Sequence, residues 1–167
     1  MAKGWKEMNM RASWAQCLRV QEELTRLRGV LLRGGKETAA LVRESLRQPE
    51  TRIAALAFAS HMPAESLEPL LPTLMTTGLF VHGATELAWN VLAAAPRDVV
   101  VRELEVREEQ ILERRDYEEI ACLLQLWCRL GDPGRAERLA QELSGDDDED
   151  VRDAALAFLE SRGGVSQ

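Results

Sequence analysis

The pentapeptide Ala54-Ala55-Leu56-Ala57-Phe58 returns unchanged as Ala154-Ala155-Leu156-Ala157-Phe158, one hundred residues later. Two related triplets lie between these copies, Leu87-Ala88-Trp89 and Ile120-Ala121-Cys122. The alanines shared by all four, Ala54, Ala88, Ala121 and Ala154, are spaced by 34, 33 and 33 residues. Even spacing of this length is typical of proteins built from stacked helix pairs. The pentapeptide therefore predicts a repeat architecture with four copies of one unit.

Turn and capping residues precede each copy at a similar place in the unit. The first three copies follow Gln48-Pro49, His82-Gly83 and Arg115-Asp116, and the fourth follows Gly145 and the acidic run 146–150. Acidic residues suit a helix start, where the first N–H groups are unpaired and the helix dipole is positive. Asp116 and Glu119 also have the spacing of a capping box. Each unit thus reads as a helix A, a tight turn and a helix B that carries the recurring alanine.

Composition supports an all-helical chain. Hydrophobic residues make up 46% and aromatic residues only 5% of the 167 residues, and Ala, Leu, Arg and Glu are abundant. Residues 12–33 form one more amphipathic helix, which we interpret as the terminal cap that such arrays need. We expect an all-α, right-handed α-solenoid of about four helix-pair repeats in a single domain, residues 1–167. The predicted boundaries are 12–33 for the N-terminal capping helix and 36–62, 64–96, 97–131 and 133–162 for the repeats.

Two helix B segments resemble a known repeat family. The segment 148–159, with its turn acid, Val-Arg pair and double alanine, resembles the second helix of a HEAT repeat, and so does 51–58. Pro69 and Pro72 match the kink of many HEAT first helices. The resemblance covers residues 36–162, although the middle copies carry glutamate where arginine is expected. TPR arrays have a similar period and are the second choice, because 131–136 resembles a TPR turn.

The HEAT resemblance implies that a partner binds on the concave side, which the B helices line. The residues opposite the presumed core stripe are predicted to contact it: Arg52, Leu56, Glu86, Asn90, Glu119, Leu123, Arg152 and Leu156. The three leucines suggest a groove for an extended or helical peptide. The alternative is that they pack against neighbouring side chains. The two glutamates would favour a basic partner.

Charge and hydropathy exclude several classes of partner. The net charge of −7 argues against nucleic acid, since a binder of the phosphate backbone usually carries a basic face. No apolar run resembles a signal peptide or a membrane span. Three cysteines, Cys17, Cys122 and Cys128, form neither a disulfide framework nor a metal spacing, which indicates free thiols in a reducing compartment. Excess Arg over Lys is typical of a high-GC bacterial genome, so we expect a cytoplasmic bacterial protein.

The sequence predicts no catalytic, cofactor or metal site. His61 and His82 lack a metal-binding spacing, and HEAT-type hydroxylases need several His-Glu pairs. The acidic run 146–150 imitates the start of a calcium-binding loop, but Val151 and Ala157 occupy positions that need Gly and Glu. We therefore expect no cofactor.

The favoured function is a non-enzymatic protein–protein interaction scaffold or adaptor. An immunity or antitoxin-like inhibitor that covers a basic toxin is the alternative. A HEAT-scaffold enzyme that modifies nucleic acid is a third hypothesis, and it would require a basic stripe on the folded surface.

Overall fold

A computed structural model describes residues 2–80 and 82–163, and the side chains from residue 10 onward. Helix accounts for 84% of the structure, and no strand occurs within those ranges, which confirms the predicted all-α class. The described part of the chain contains nine α-helices: α1 (Ala2–Leu32), α2 (Gly35–Arg47), α3 (Pro49–Ala59), α4 (Leu71–Gly78), α5 (Thr85–Ala94), α6 (Arg97–Arg114), α7 (Tyr117–Arg129), α8 (Pro133–Leu143) and α9 (Glu149–Gly163).

The chain divides into two compact units, Met1–Thr38 and Ala39–Gln167. The first unit consists mainly of α1, which starts ten residues before the predicted cap helix and ends at a pair of glycines. Gly35 has a φ of +52°, a left-handed conformation that glycine adopts without strain. The carbonyl oxygen of Leu31 accepts hydrogen bonds from the Gly34 N–H at 2.8 Å and from the Thr38 hydroxyl at 2.5 Å, which ties the end of α1 to the start of the next helix.

The second unit contains the buried apolar core, which runs from Ala39 to Phe158. Helices that carry the recurring alanine pack in chain order: α3 against α5, α5 against α7, and α7 against α9. The intervening helices pack beside them, α4 on α5 and α6, and α8 on both α7 and α9. The helices lie where the 33-residue periodicity places them, whereas the number and handedness of the repeats stay predictions.

One predicted helix is shorter than expected. The sequence suggests a single kinked helix over residues 64–80, but the structure has two 3-10 turns, Ala64–Ser66 and Glu68–Leu70, before α4 begins. Pro69 and Pro72 lack the backbone N–H that an α-helix interior needs, and in a continuous helix each ring would clash with the preceding turn. The prolines therefore confine regular α-helix in this segment to the eight residues Leu71–Gly78.

Acidic N-caps fix the starts of two core helices. The Asp116 carboxylate accepts hydrogen bonds from the backbone N–H groups of Glu118 and Glu119, at 3.0 and 3.1 Å. Asp132 does the same for α8, accepting from the Arg135 N–H at 3.0 Å. Only half of the predicted capping box forms, because the Glu119 side chain contacts Arg114 instead of reaching back.

Both core tryptophans have a polar partner for their indole N–H. Trp89 Nε1 donates 2.7 Å to the carbonyl oxygen of Gly78, which joins α5 to α4. Trp127 Nε1 donates 2.6 Å to the carboxylate of Glu108, and the Arg135 guanidinium lies 4.1 Å from the centre of the same Trp127 ring. Arg135 also contacts Glu108 at 3.0 Å, so α6, α7 and α8 meet in one satisfied polar cluster.

Candidate functional site

Two of the predicted partner-binding residues make the same local contact. Arg52 Nε donates a hydrogen bond of 3.0 Å to the carbonyl oxygen of Leu46. Arg152 Nη1 donates one of the same length to the carbonyl oxygen of Asp146. In each case the acceptor lies six residues earlier, before the helix that carries the arginine. Both arginines are half buried, and each ties its own helix to the segment that precedes it.

The two glutamates of the predicted stripe are ion-paired within the second unit. Glu86 on α5 pairs with Arg129 on α7, whose guanidinium also lies 5.9 Å from the centre of the Trp89 ring. Glu119 is buried and pairs with Arg114 at the end of α6. The charge of Glu119 is therefore paired at a buried position, whereas Glu86 and Asn90 are exposed.

Leu56 and Leu123 lie in the core, with none of their surface exposed. They cannot contact a partner, so the alternative in which these leucines pack against neighbouring side chains describes both of them. The sequence interpretation placed the core stripe of α3 one position away from where it lies. Ala55, Leu56 and Ala59 face inward, whereas the recurring alanine Ala54 is exposed.

Leu156 has 41% of its surface exposed, although its five-residue context is identical to that of the fully buried Leu56. We attribute the difference to the neighbours of the two helices. The next helix that carries the recurring alanine, α5, packs against α3, whereas within the described residues no helix follows α9. The two identical segments therefore differ in burial because α5 covers one of them, whereas no later described helix covers the other.

An open groove of about 470 Å³ runs between α7 and α9. Its side toward α7 carries residues spaced four apart, so that they lie along one helix face. The side toward α9 carries alanines and polar residues, and small side chains leave the groove open. The lining residues are Tyr117, Ala121, Gln125, Asp150, Asp153, Ala154, Ala157, Phe158 and Ser161.

Acidic groups dominate the end of the groove where α7 and α9 begin. The charge of Glu118, and then its hydrogen bond, raises the pKa of Tyr117, and the carboxylates of Asp150 and Asp116 raise it further. Tyr117 itself is about half exposed. This end of the groove therefore favours a cationic group, and the tyrosine ring offers it an aromatic surface.

None of the eight predicted partner-binding residues lines the groove, although some of them lie on the same two helices, α7 and α9. A usable signal was present on α7, where Ala121 and Gln125 are less apolar than the residues on either side of them and lie four positions apart. The misplaced core stripe hid that signal. Ala157, which lines the groove, is exposed.

The thiols and acidic turn differ in their surroundings. Cys17 is exposed, Cys128 is half buried, and burial raises the pKa of Cys122 to about 11.

In the acidic turn, Asp146 accepts a hydrogen bond from the Asp148 N–H at 2.9 Å and pairs with Arg115 at 3.2 Å. Across the described ranges, no group of three or more His, Cys, Asp or Glu side chains is arranged to hold a metal ion.

No helix in the described part of the chain is long and apolar enough to cross a membrane. Comparison of the chain with protein-family models, with curated proteins and with solved structures finds no match in any of the three.

Proposed function

We propose that this chain is a HEAT-like α-solenoid that binds a basic segment of another protein in the groove between α7 and α9, without catalysing a reaction. The observation that carries the proposal is the groove itself, an open channel of about 470 Å³ with an acidic end. Repeat arrays commonly present such channels between successive helices of a row, where they bind extended or helical peptides.

Helix packing supports the solenoid part of the proposal. The helices that carry the recurring alanine pack in chain order, and a second set of helices packs beside them. A stacked array buries a continuous core in this way, because each unit covers the apolar face of the one before. The equivalent contacts of Arg52 and Arg152 add a hydrogen bond that recurs with the repeated pentapeptide.

The shape of the groove supports a peptide as the bound group. Three of its lining residues, Ala121, Ala154 and Ala157, have small side chains, which leave room for side chains of a partner. Gln125 and Ser161 provide hydrogen-bonding groups farther along. A channel lined by small apolar side chains and a few polar groups suits alternating side chains of a peptide.

Charge supports a basic partner. Asp150 and Asp153 line the groove, and both side chains are exposed. The net charge of the whole chain is −7, so the long-range field also attracts cations. A lysine or arginine of the partner would approach these carboxylates beside the Tyr117 ring. Such charge contacts fix the position of the peptide along the groove and raise the association rate, while burial of peptide side chains against the lining alanines supplies affinity.

The test uses a displayed library of random peptides selected on the folded chain. We expect enrichment of peptides with Lys or Arg next to small or aliphatic residues, and binding that weakens as salt rises. Binding of a selected peptide is then measured by fluorescence anisotropy for three variants. Asp153→Arg reverses charge in the groove, Ala157→Trp fills it, and Glu160→Arg makes the same charge change on α9 outside the lining residues.

We expect Asp153→Arg and Ala157→Trp each to weaken binding at least about tenfold, which corresponds to about 1.4 kcal/mol. Glu160→Arg should change it less than about threefold, because exposed charges outside the contact contribute little. The proposal fails if no peptide is enriched, or if the groove variants and Glu160→Arg weaken binding equally while circular dichroism shows equal helix content.

A further inference from the structure

Apolar side chains recur along α1 with the seven-residue spacing of a coiled coil. Counting in heptads labelled a to g, the a positions are Met10, Cys17, Leu24 and Leu31. Two of the three d positions, three residues after an a position, are Val20 and Leu27. All six side chains are exposed in this structure. We call this stripe the α1 seam.

The length of the α1 seam fits the requirements of a coiled coil. It extends over three heptads, about the minimum for which such a pattern indicates a coiled coil. The 31-residue helix carries it without interruption, and Gly29 falls at an f position, which faces away from the seam. Exposed apolar surface of this extent is unusual unless another helix covers it.

Charge complementarity identifies a second copy of this chain as the covering helix. In a parallel pair, a residue at g faces the residue five positions later, at e, on the other helix. Here Glu23 occupies g and Arg28 occupies e, so two copies form two opposite-charge pairs. One heptad earlier, Gln16 and Gln21 place two amides opposite each other, which can hydrogen-bond. An antiparallel pair would lose this match.

From the seam and its charges we propose that two copies of this chain associate through a parallel, in-register coiled coil of α1. The interface is self-complementary, as a twofold-symmetric dimer requires. Within one copy, Glu23 contacts Arg26 at 2.7 Å on the helix surface. A surface pair of this kind contributes little, so Glu23 can also bind Arg28 of the second copy.

The first test measures the mass of the full chain by analytical ultracentrifugation. Wild type should have twice the chain mass of 18.7 kDa. Leu24→Asp places a charge in the seam and should give a monomer. Leu18→Asp is the matched control, because Leu18 lies at b, outside the seam, and is as exposed as Leu24, 48% against 43%. The control should remain dimeric.

A charge exchange tests the parallel register. Glu23→Arg and Arg28→Glu should each weaken the dimer, since each places like charges opposite one another. Mixed together, the two variants should form a heterodimer, because arginines on one helix then face glutamates on the other. Native mass spectrometry distinguishes the heterodimer from either homodimer by mass. No gain on mixing would overturn the register.

Cys17 supplies an independent test of alignment. In the proposed dimer the two Cys17 thiols lie in the same layer of the seam. Oxidised glutathione should link them, each protein disulfide formed by exchange converting one glutathione disulfide to two reduced glutathione molecules. Cys17→Ser should abolish the crosslinked dimer on a non-reducing gel. A monomeric wild type, a dimer that Leu24→Asp leaves intact, or a dimer without the Cys17 crosslink would each contradict the proposal.

Discussion

Gly78 ends α4 directly against the indole of Trp89. A Cβ at this position would lie 3.1 Å from Cδ1 of Trp89, and the indole cannot move away freely because its Nε1 is hydrogen-bonded to the Gly78 carbonyl. We expect Gly78→Ala to lower the free energy of unfolding by about 1–3 kcal/mol through overpacking. That loss exceeds the gain of about 1 kcal/mol at most that alanine provides in a helix. Urea denaturation measures the difference.

Gly83→Ala is the matched control for Gly78. A Cβ at Gly83 would have no atom within 4 Å, and its φ is not in the left-handed region. The substitution should leave stability unchanged or raise it by up to about 1 kcal/mol, because alanine restricts the unfolded chain. Equal destabilisation by both substitutions would mean that contact with Trp89 is not the cause.

His82 should make stability depend on pH near neutrality. Its Nδ1 accepts a hydrogen bond of 3.0 Å from the Ala84 N–H, which requires an unprotonated nitrogen. Burial, and then the positive charge of Arg52, lowers the pKa of His82 below its usual 6.5. The unfolded chain therefore binds more protons in this range. The stabilisation is fully present above pH 6.5 and is lost as the pH falls through the lowered pKa.

The check compares the free energy of unfolding at several pH values between about 7.5 and 5.5. His82→Asn, which keeps a hydrogen-bond acceptor but cannot gain a proton, should flatten the decline seen in wild type. His61→Asn should leave the decline in place, because His61 is exposed. An identical decline in the His82 variant would assign the pH dependence to other groups.

At the scale of a helix, the start of α7 depends on one carboxylate. Asp116 is the acceptor for two backbone N–H groups that have no partner within the helix. We expect Asp116→Ala to lower the free energy of unfolding by about 0.5–2 kcal/mol, the usual loss for an N-cap. Asp116→Asn keeps an oxygen acceptor and should recover most of it. Thermal denaturation of both variants tests this, and equal losses would mean that capping is not the role.

Helix positions were predictable where capping and stop residues are strong. Asp116, Pro133 and the glycine pair after α1 mark boundaries that the structure has within a residue or two. The register of each helix was harder, because α7 packs against α5, α6, α8 and α9 and is buried on most of its circumference. Leu123 therefore lies in the core although a single-stripe pattern places it outside. Burial of this kind depends on neighbours that sequence periodicity does not specify.

The groove was harder to predict than the helix boundaries for the same reason. It lies between two helices, and the alanines that line it do not by themselves distinguish an open groove from close helix packing. Leu56 and Leu156 show how far neighbours decide exposure, since one sequence gives both a buried and an exposed leucine. The acidic preference was predicted from Glu86 and Glu119, yet in the structure Asp150 and Asp153 line the groove.

At the scale of the whole molecule, the division into two units predicts that the core folds without α1. The buried apolar core extends from Ala39 to Phe158, all within the second unit. A chain that begins at Gly34 should therefore keep its cooperative thermal transition, with a midpoint within a few degrees of the corresponding transition in the full chain. Circular dichroism of the two chains, side by side, measures this.

The dependence of the melting temperature on protein concentration then distinguishes the unfolding of α1 from that of the core. Because a dimer is stabilised by mass action, melting of α1 in the full chain should shift to higher temperature as protein concentration rises. The transition of the core should not shift, and the shortened chain should show only that transition. If the shortened chain loses cooperativity, α1 contributes to the core after all. If the full chain shows one transition at every concentration, the coiled coil of α1 does not form in solution.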